Sequence, residues 1–239
     1  VDVPNCLLAS FETYHACKTY ADVGLIRRRV VSEFLVRQSN RFSTEFDRGR
    51  LLRFSGKASG AAQPIEANTA VPICNWQMTY DWITASISKG TSSVDATVAH
   101  SYEHISDMFR EARAVSFGAS ALIPSLLLSD SLQTAWFDSS YSFDVVEENP
   151  QNSIVRATNG VKHYEIQIVT GTGLIRLIKI IESVEDREHL DVLQEMLSNA
   201  SADQAKHIKP ALEILSGVTQ SVYEVETIFD YKEVEVSLQ

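Results

Sequence analysis

No apolar run in this 239-residue chain reaches the roughly 18 residues that a membrane-spanning helix needs. The longest, ALIPSLLL at Ala121–Leu128, is short and carries Pro124. Basic residues are also few: 21 Lys and Arg face 31 Asp and Glu, for a net charge of −10. Nucleic acids and anionic membrane surfaces both require a basic footprint, so neither is an expected partner. The 3 cysteines, Cys6, Cys17 and Cys74, cannot all pair within one chain, and no C-x-x-C occurs. Thiol redox chemistry and a structural zinc therefore have no support. With 10 Gly and 6 Pro, the chain has no low-complexity linker. G-x-S-x-G, a P-loop and H-E-x-x-H are absent, and Gly171-Thr172-Gly173 does not complete G-x-G-x-x-G. No cofactor is expected.

What remains is an ordinary globular composition, 44% apolar and 22% charged, long enough for one large domain or two small ones. Asn5 to Tyr20 reads as a helix, because Leu7, Leu8, Phe11, Tyr14 and Cys17 recur at three- and four-residue spacing. Asp22–Arg37 and Arg41–Phe54 then read as two long strands around a Ser39-Asn40 turn. The first places Ile26, Val30, Phe34 and Val36 on one face with Arg28. The second places Phe42, Thr44, Phe46, Leu52 and Phe54 on one face. Gly56–Asn68 reads as a loop, Cys74–Trp82 as a half-buried strand, and ITASISK as its partner.

The middle reads as helical. Val94, Val98, Tyr102, Ile105, Phe109 and Ala112 form a stripe over 94–115, followed by a short apolar segment, ASALIPSLLLS. Strand signals return in WFDSSYSFDVVEE, NSIVRATNG, VKHYEIQIV and LIRLIKIIE. Arg187–Ser216 is a second helical block, and Val222–Val236 a final alternating strand. This order predicts an α+β protein: one antiparallel sheet shared by early and late strands, with helices packed on one side.

FSTEFDRGRLLRF (Phe42–Phe54) resembles the second-strand pattern of the LolA/LolB-like lipoprotein-carrier superfamily, with Gly49 where that family's Arg-Pro step has proline. YADVGLIRRRVV resembles the preceding strand. CNWQMTYD resembles the strand after it, although the usual Asp-Gly turn is missing. YEIQIVTGTGLIRLIKI and VYEVETIFDYKEVEV resemble the closing strands. The resemblance implies a strongly curved antiparallel sheet, an incomplete half-barrel, with helices across its open concave side as a lid. It implies a single domain over residues 1–239, with a helical insertion at about 185–217. It also implies a periplasmic or otherwise extracytoplasmic monomer, its leader removed, that holds a lipid or lipoprotein acyl chain and does no chemistry.

The candidate cavity residues are Phe34, Phe42, Phe46, Trp76, Met78, Tyr102, Ile105, Phe109 and Ile166. Burying an acyl chain gains about 0.8 kcal/mol per CH₂, so apolar area alone suffices to hold one. The resemblance further implies that Arg48, at the Arg-Pro position, holds the lid by hydrogen bonds. Its rigid fork of donors suits carbonyls at a helix end. Arg28 is a second lid or head-group candidate.

One string looks catalytic. HSYEH (His100–His104) reads as H-x-x-E-H, the zinc signature of inverzincin peptidases. On a helix, at about 100° per residue, Val98, Tyr102, Ile105, Phe109 and Ala112 cluster on one side. His100 and His104 fall opposite, beside Asp107 and Glu111, on a polar stripe. A metallopeptidase built on His100 and His104 is therefore the rival reading. A third is a sensor or scaffold module that binds a protein partner on the same fold.

Overall fold

The computed structural model describes residues 3–31, 35–61, 72–90, 98–128, 136–185 and 222–238. Helix α1 (Asn5–Ala16) opens after Pro4, whose carbonyl accepts from the amides of Leu7 and Leu8 at 3.0 and 3.1 Å. Leu7, Phe11 and Tyr14 are its buried stripe. The helix stops short of the expected Tyr20. Cys17 is already extended and begins β1 (Cys17–Val31), where Thr19 pairs with Asp47. Sheet pairing therefore outcompetes the helical period at this point.

Strand β2 (Leu35–Asp47) runs straight through Ser39-Asn40, so the expected turn there does not exist. The chain reverses instead at Arg48–Arg50, where Gly49 adopts φ 78°. That left-handed conformation suits glycine, which has no Cβ to clash. Strand β3 (Leu51–Ala61) continues through Gly56, which was expected to open a loop. Strands β4 (Pro72–Tyr80), β5 (Ala85–Gly90) and β6 (Val98–Tyr102) follow. Helix α2 (Ile105–Val115), a 3-10 turn at Ala119–Ala121 and helix α3 (Ile123–Leu128) come next. The second half adds β7 (Ser142–Glu148), β8 (Asn152–Thr158), β9 (Lys162–Val169), β10 (Leu174–Glu185) and β11 (Val222–Leu238). The sequence-predicted block at Arg187–Ser216 lies outside the described residues, as does Phe34.

All the described strands form one 11-stranded sheet in the order β6-β5-β4-β3-β2-β1-β11-β10-β9-β8-β7. Every described pairing is antiparallel. The early strands step outward from β1 and the late strands step inward to β11, so the chain's two ends close the middle of the sheet. β6 and β7 are its edges, and the sheet stays open. Register shifts at Ala21/Val23, Ala58/Ser59, Val145/Glu147 and Ile175/Leu177 bend it, as bulges do. α1, α3 and the 3-10 turn pack together over its inner face, and α2 lies over β4–β6.

The inner face is written by alternation. On β1, Tyr20, Asp22, Gly24 and Ile26 are buried, whereas Val23, Arg27 and Arg29 are exposed. The two exposed arginines pair outside with Asp230 and Glu226, at 3.8 and 3.3 Å. One cross-strand row alternates bulk with glycine: Trp76, Gly56, Phe42, Gly24, Tyr231. Phe42 lies over Gly24 and Trp76 over Gly56. A Cβ on Gly24 would stand 2.1 Å from Phe42, and one on Gly56 would stand 2.3 Å from Trp76. The rings thereby stay in contact across the sheet, Phe42 to Phe54 at 5.8 Å, Phe42 to Tyr231 at 5.4 Å and Phe54 to Trp76 at 4.9 Å.

Candidate functional site

Two rows along from the aromatic and glycine row, a different row crosses β1, β11, β10, β9 and β8: Arg28, Thr227, Ile180, Tyr164, Ala157. In it a basic side chain, Arg28, interrupts the apolar face. The helices do not press down on it. Instead a cavity of about 480 Å³ opens there, roofed by Arg113 of α2, by Phe117, Gly118, Ala121 and Leu122 around the 3-10 turn, and by Trp136, Asp138 and Tyr141. Its floor is Arg28, Thr227, Ile180 and Tyr164, with Lys162 and Glu182 beside them. That volume lies within the ~300–1,000 Å³ of small-molecule sites.

The lining combines rings and ions. Phe137 holds Tyr141 and Tyr164 at centroid distances of 5.1 Å each, and Trp136 stands edge-on to Phe11 of α1 at 5.1 Å. Lys162 is answered by Glu182 at 2.8 Å. Asp138 accepts from the hydroxyl of Ser140 and from its amide, the latter at 2.8 Å, and these bonds hold its carboxyl below the usual range. The Arg28 guanidinium sits 5.6 Å from the centre of the Phe117 ring. Burial, followed by the neighbouring Tyr164, pushes the Tyr141 phenol up to about 12.

Of the residues expected to line a cavity, Phe42, Phe46, Trp76, Met78 and Ile166 are buried at 0–3% exposure and packed with one another. Phe109 is partly buried against the same core. Tyr102 and Ile105 border a second depression of about 430 Å³ beside Tyr80 and Trp82. Among the described residues, Arg28 is the one expected residue that lines the larger cavity. Trp136, Tyr164, Ile180, Thr227, Lys162 and Arg113 were not foreseen as site residues. The signal available for them was strand parity: Arg28 shares the inner parity of β1 with Ile26, and Tyr164 that of β9 with Ile166.

Arg48 follows β2 at the turn and reaches the end of α1. Its Nη2 donates to the His15 carbonyl at 2.5 Å and its Nε to the Cys17 carbonyl at 2.8 Å. These carbonyls lie where a helix has run out of its own amide donors. The Phe46 ring supports the guanidinium at 5.2 Å.

Beneath α1 lies a polar cluster that the sequence reading missed. Asp22 is 3% exposed and accepts from the Tyr20 hydroxyl at 2.6 Å and from the Thr44 amide at 2.9 Å. Tyr14 accepts from the Ile175 amide at 2.9 Å. The Tyr231 hydroxyl is buried and has no hydrogen-bond partner among the described residues. Burial raises the Asp22 carboxyl to about 6, against the opposing pull of its hydrogen bonds.

The structure corrects the reading of HSYEH. No helix spans 94–115: His100 lies exposed on edge strand β6, and His104 is the extended residue (φ −120°, ψ 132°) preceding α2. A strand advances about 3.3 Å per residue, so the two histidines are not stacked one helical turn apart as the zinc motif requires. Tyr102 donates its hydroxyl to Glu111, and the most buried residues of α2 are Met108 and Ala112. No group of three or more potential metal ligands is assembled among the described residues.

The geometry defines an open antiparallel sheet with helices over one face and a mixed aromatic and charged cavity between them. Two solved structures are similar over nearly the whole chain. One is a LolA superfamily protein from Nitrosomonas europaea, at 7% identity and TM-score 0.27, covering 98% of this chain and 94% of that one. The other, from Vibrio parahaemolyticus, is a domain described as an outer membrane lipoprotein-sorting protein, at 7% identity and TM-score 0.31, covering 97% and 91%. No protein-family model matches the chain, and no curated protein matches it.

Proposed function

We propose that this protein is a non-catalytic, extracytoplasmic binding or carrier protein that holds a lipid or lipoprotein acyl chain between its sheet and its helices. The observation that carries this reading is the cavity of about 480 Å³ between the inner face and the helical layer, where Phe117, Leu122, Trp136, Tyr164 and Ile180 offer apolar surface. It is the role that the sequence resemblance implies. The guest's apolar part lies against those side chains. A longer chain is admitted when the helices part from the rows that carry Phe42, Phe46, Trp76, Met78 and Ile166. Binding of this kind needs apolar area and shape, not a nucleophile or a metal. The protein acts as a single domain and as a monomer.

The test is lipid extraction and native mass spectrometry on protein exported to the periplasm and purified in non-denaturing buffer without detergent. Stoichiometric lipid on the native chain is the expected result. A chain free of lipid that does not take up added fatty acid contradicts the proposal. Lipid-free protein that instead retains a protein through affinity purification favours the scaffold reading.

A further inference from the structure

One inner row crosses the sheet from β1 to β7 without a polar residue: Ile26, Phe229, Ile178, Ile166, Val155 and Val145. All but the last are fully buried, whereas Val145 is 44% exposed. The row therefore runs out into solvent on an edge strand. Every residue of β7 except Phe143 is exposed. Val146, which has no cross-strand partner at the bulge between Val145 and Glu147, is 50% exposed. On the side away from β8, the amides and carbonyls of β7 have no backbone partner among the described residues.

The charge along this edge has one sign. Asp144, Glu147 and Glu148 flank the two valines, and none has a cationic partner among the described residues. Arg156, opposite Asp144 on β8, is paired with Glu165 at 3.6 Å. Glu147 accepts from the Asn149 side-chain amide at 2.6 Å. Lysines, prolines and inward charges are the usual guards of an edge strand. β7 contains no lysine or proline, and Phe143 and Val145 hold its central inward positions. Its bulge and its carboxylates restrict pairing to a strand of matching twist and opposite charge. A second copy of the chain fits poorly, because two paired β7 strands bring like charges together.

We propose that β7 is a docking edge for an extended segment of a protein partner, one that alternates apolar with basic residues. The segment extends the sheet by one strand, and its backbone bonds supply affinity. An apolar residue beside Val145 continues the buried row, and Lys or Arg beside Asp144 and Glu147 fixes the register. Docking at this edge is independent of what the cavity holds.

The test uses fluorescein-labelled synthetic peptides of equal length. They are alternating lysine and valine, alternating glutamate and valine, alternating lysine and serine, and the lysine–valine peptide with every amide N-methylated. The last keeps its charge but loses its backbone donors. Binding is followed by anisotropy, and hydrogen exchange is measured on the native chain with and without the lysine–valine peptide. That peptide should bind about tenfold more tightly than each of the others. In its complex the amides of Ser142–Glu148 should exchange more slowly and those of β6 unchanged. Val145→Lys should weaken it about tenfold, and Asp144→Lys/Glu147→Lys should turn the preference toward the glutamate–valine peptide. The exchange readout needs no variant and holds even if these fold poorly. Equal binding of the N-methylated or lysine–serine peptide overturns the inference in favour of adsorption by charge. Absence of binding, or binding without protection of β7, also overturns it. A dimer of the native chain that Val145→Lys dissolves overturns it in favour of a second copy.

Discussion

Asp22 shows how one buried residue sets a pH dependence. Its carboxyl rises from an ordinary value of 3.8 to about 6, because burial penalises the charged form more than two hydrogen bonds favour it. Between those values the folded chain keeps a proton that the unfolded chain has lost. This residue's contribution to stability therefore falls as pH rises from about 4 to about 6 and is level beyond, a loss on the order of 3 kcal/mol. Asp22→Asn removes the titration. Its stability relative to the native chain should grow across that window, measured by denaturant unfolding at pH 4 and pH 7.5. A difference that stays constant with pH contradicts this assignment. Arg48 makes a second residue-level prediction. Arg48→Leu leaves the carbonyls of His15 and Cys17 without these donors and should cost about 2 kcal/mol. Hydrogen exchange should quicken in α1 before the sheet, and uniform quickening would place the loss elsewhere. Arg48 was expected as a lid contact only through the family resemblance. Asp22 was not foreseen, because an acid at the start of an alternating run reads as a boundary. Its inner parity with Gly24 and Ile26 was there to be counted.

At the scale of elements, the aromatic and glycine row explains why two glycines sit inside strands, where they are ordinarily unfavourable. Gly24→Ala places a methyl group 2.1 Å from the Phe42 ring and must displace it. The expected cost is about 1–3 kcal/mol by thermal or denaturant unfolding. An unchanged midpoint would mean that the row tolerates bulk and does not depend on its glycines. Strands β8, β9 and β11 were legible in sequence because they alternate, and β10 because an apolar run follows the Gly171–Gly173 turn. The segment 94–115 was not. Val98 and Tyr102 fit a helical stripe with Ile105, and only the pairing of β6 on β5, Lys89 to Val98 through Ala85 to Tyr102, decides for a strand. Local period cannot distinguish a five-residue edge strand from a first helical turn. The Ser39-Asn40 turn failed for the same reason: polar residues suggested a reversal, but the partner strands on both sides keep β2 straight. The correction bears on chemistry as well. Protein purified without a nickel column should hold sub-stoichiometric zinc, whereas one zinc per chain lost in His100→Ala would restore the metal reading.

At the scale of the whole molecule, one long antiparallel sheet joins the chain's early and late strands through β1 and β11, and its helices cover a single face. That much was legible from element order and alternation. The site was less so, because the cavity arises where strands distant in sequence, β1 and β9–β11, bring Arg28, Thr227, Ile180 and Tyr164 into one row. Phe42, Phe46 and Trp76, which look like a binding surface in sequence, are buried at 2–3% exposure, since large rings at inner parity bury one another. The account's central claim is that the space above this row holds the guest. Ile180 is partly exposed at the centre of the cavity floor, so Ile180→Trp fills the space with little disturbance of the core. Native mass spectrometry of both chains, prepared identically, is the most direct measurement. The account predicts a bound lipid mass on the native protein and its loss in Ile180→Trp at an unchanged melting temperature; equal lipid on both chains, or none on the native one, would contradict it.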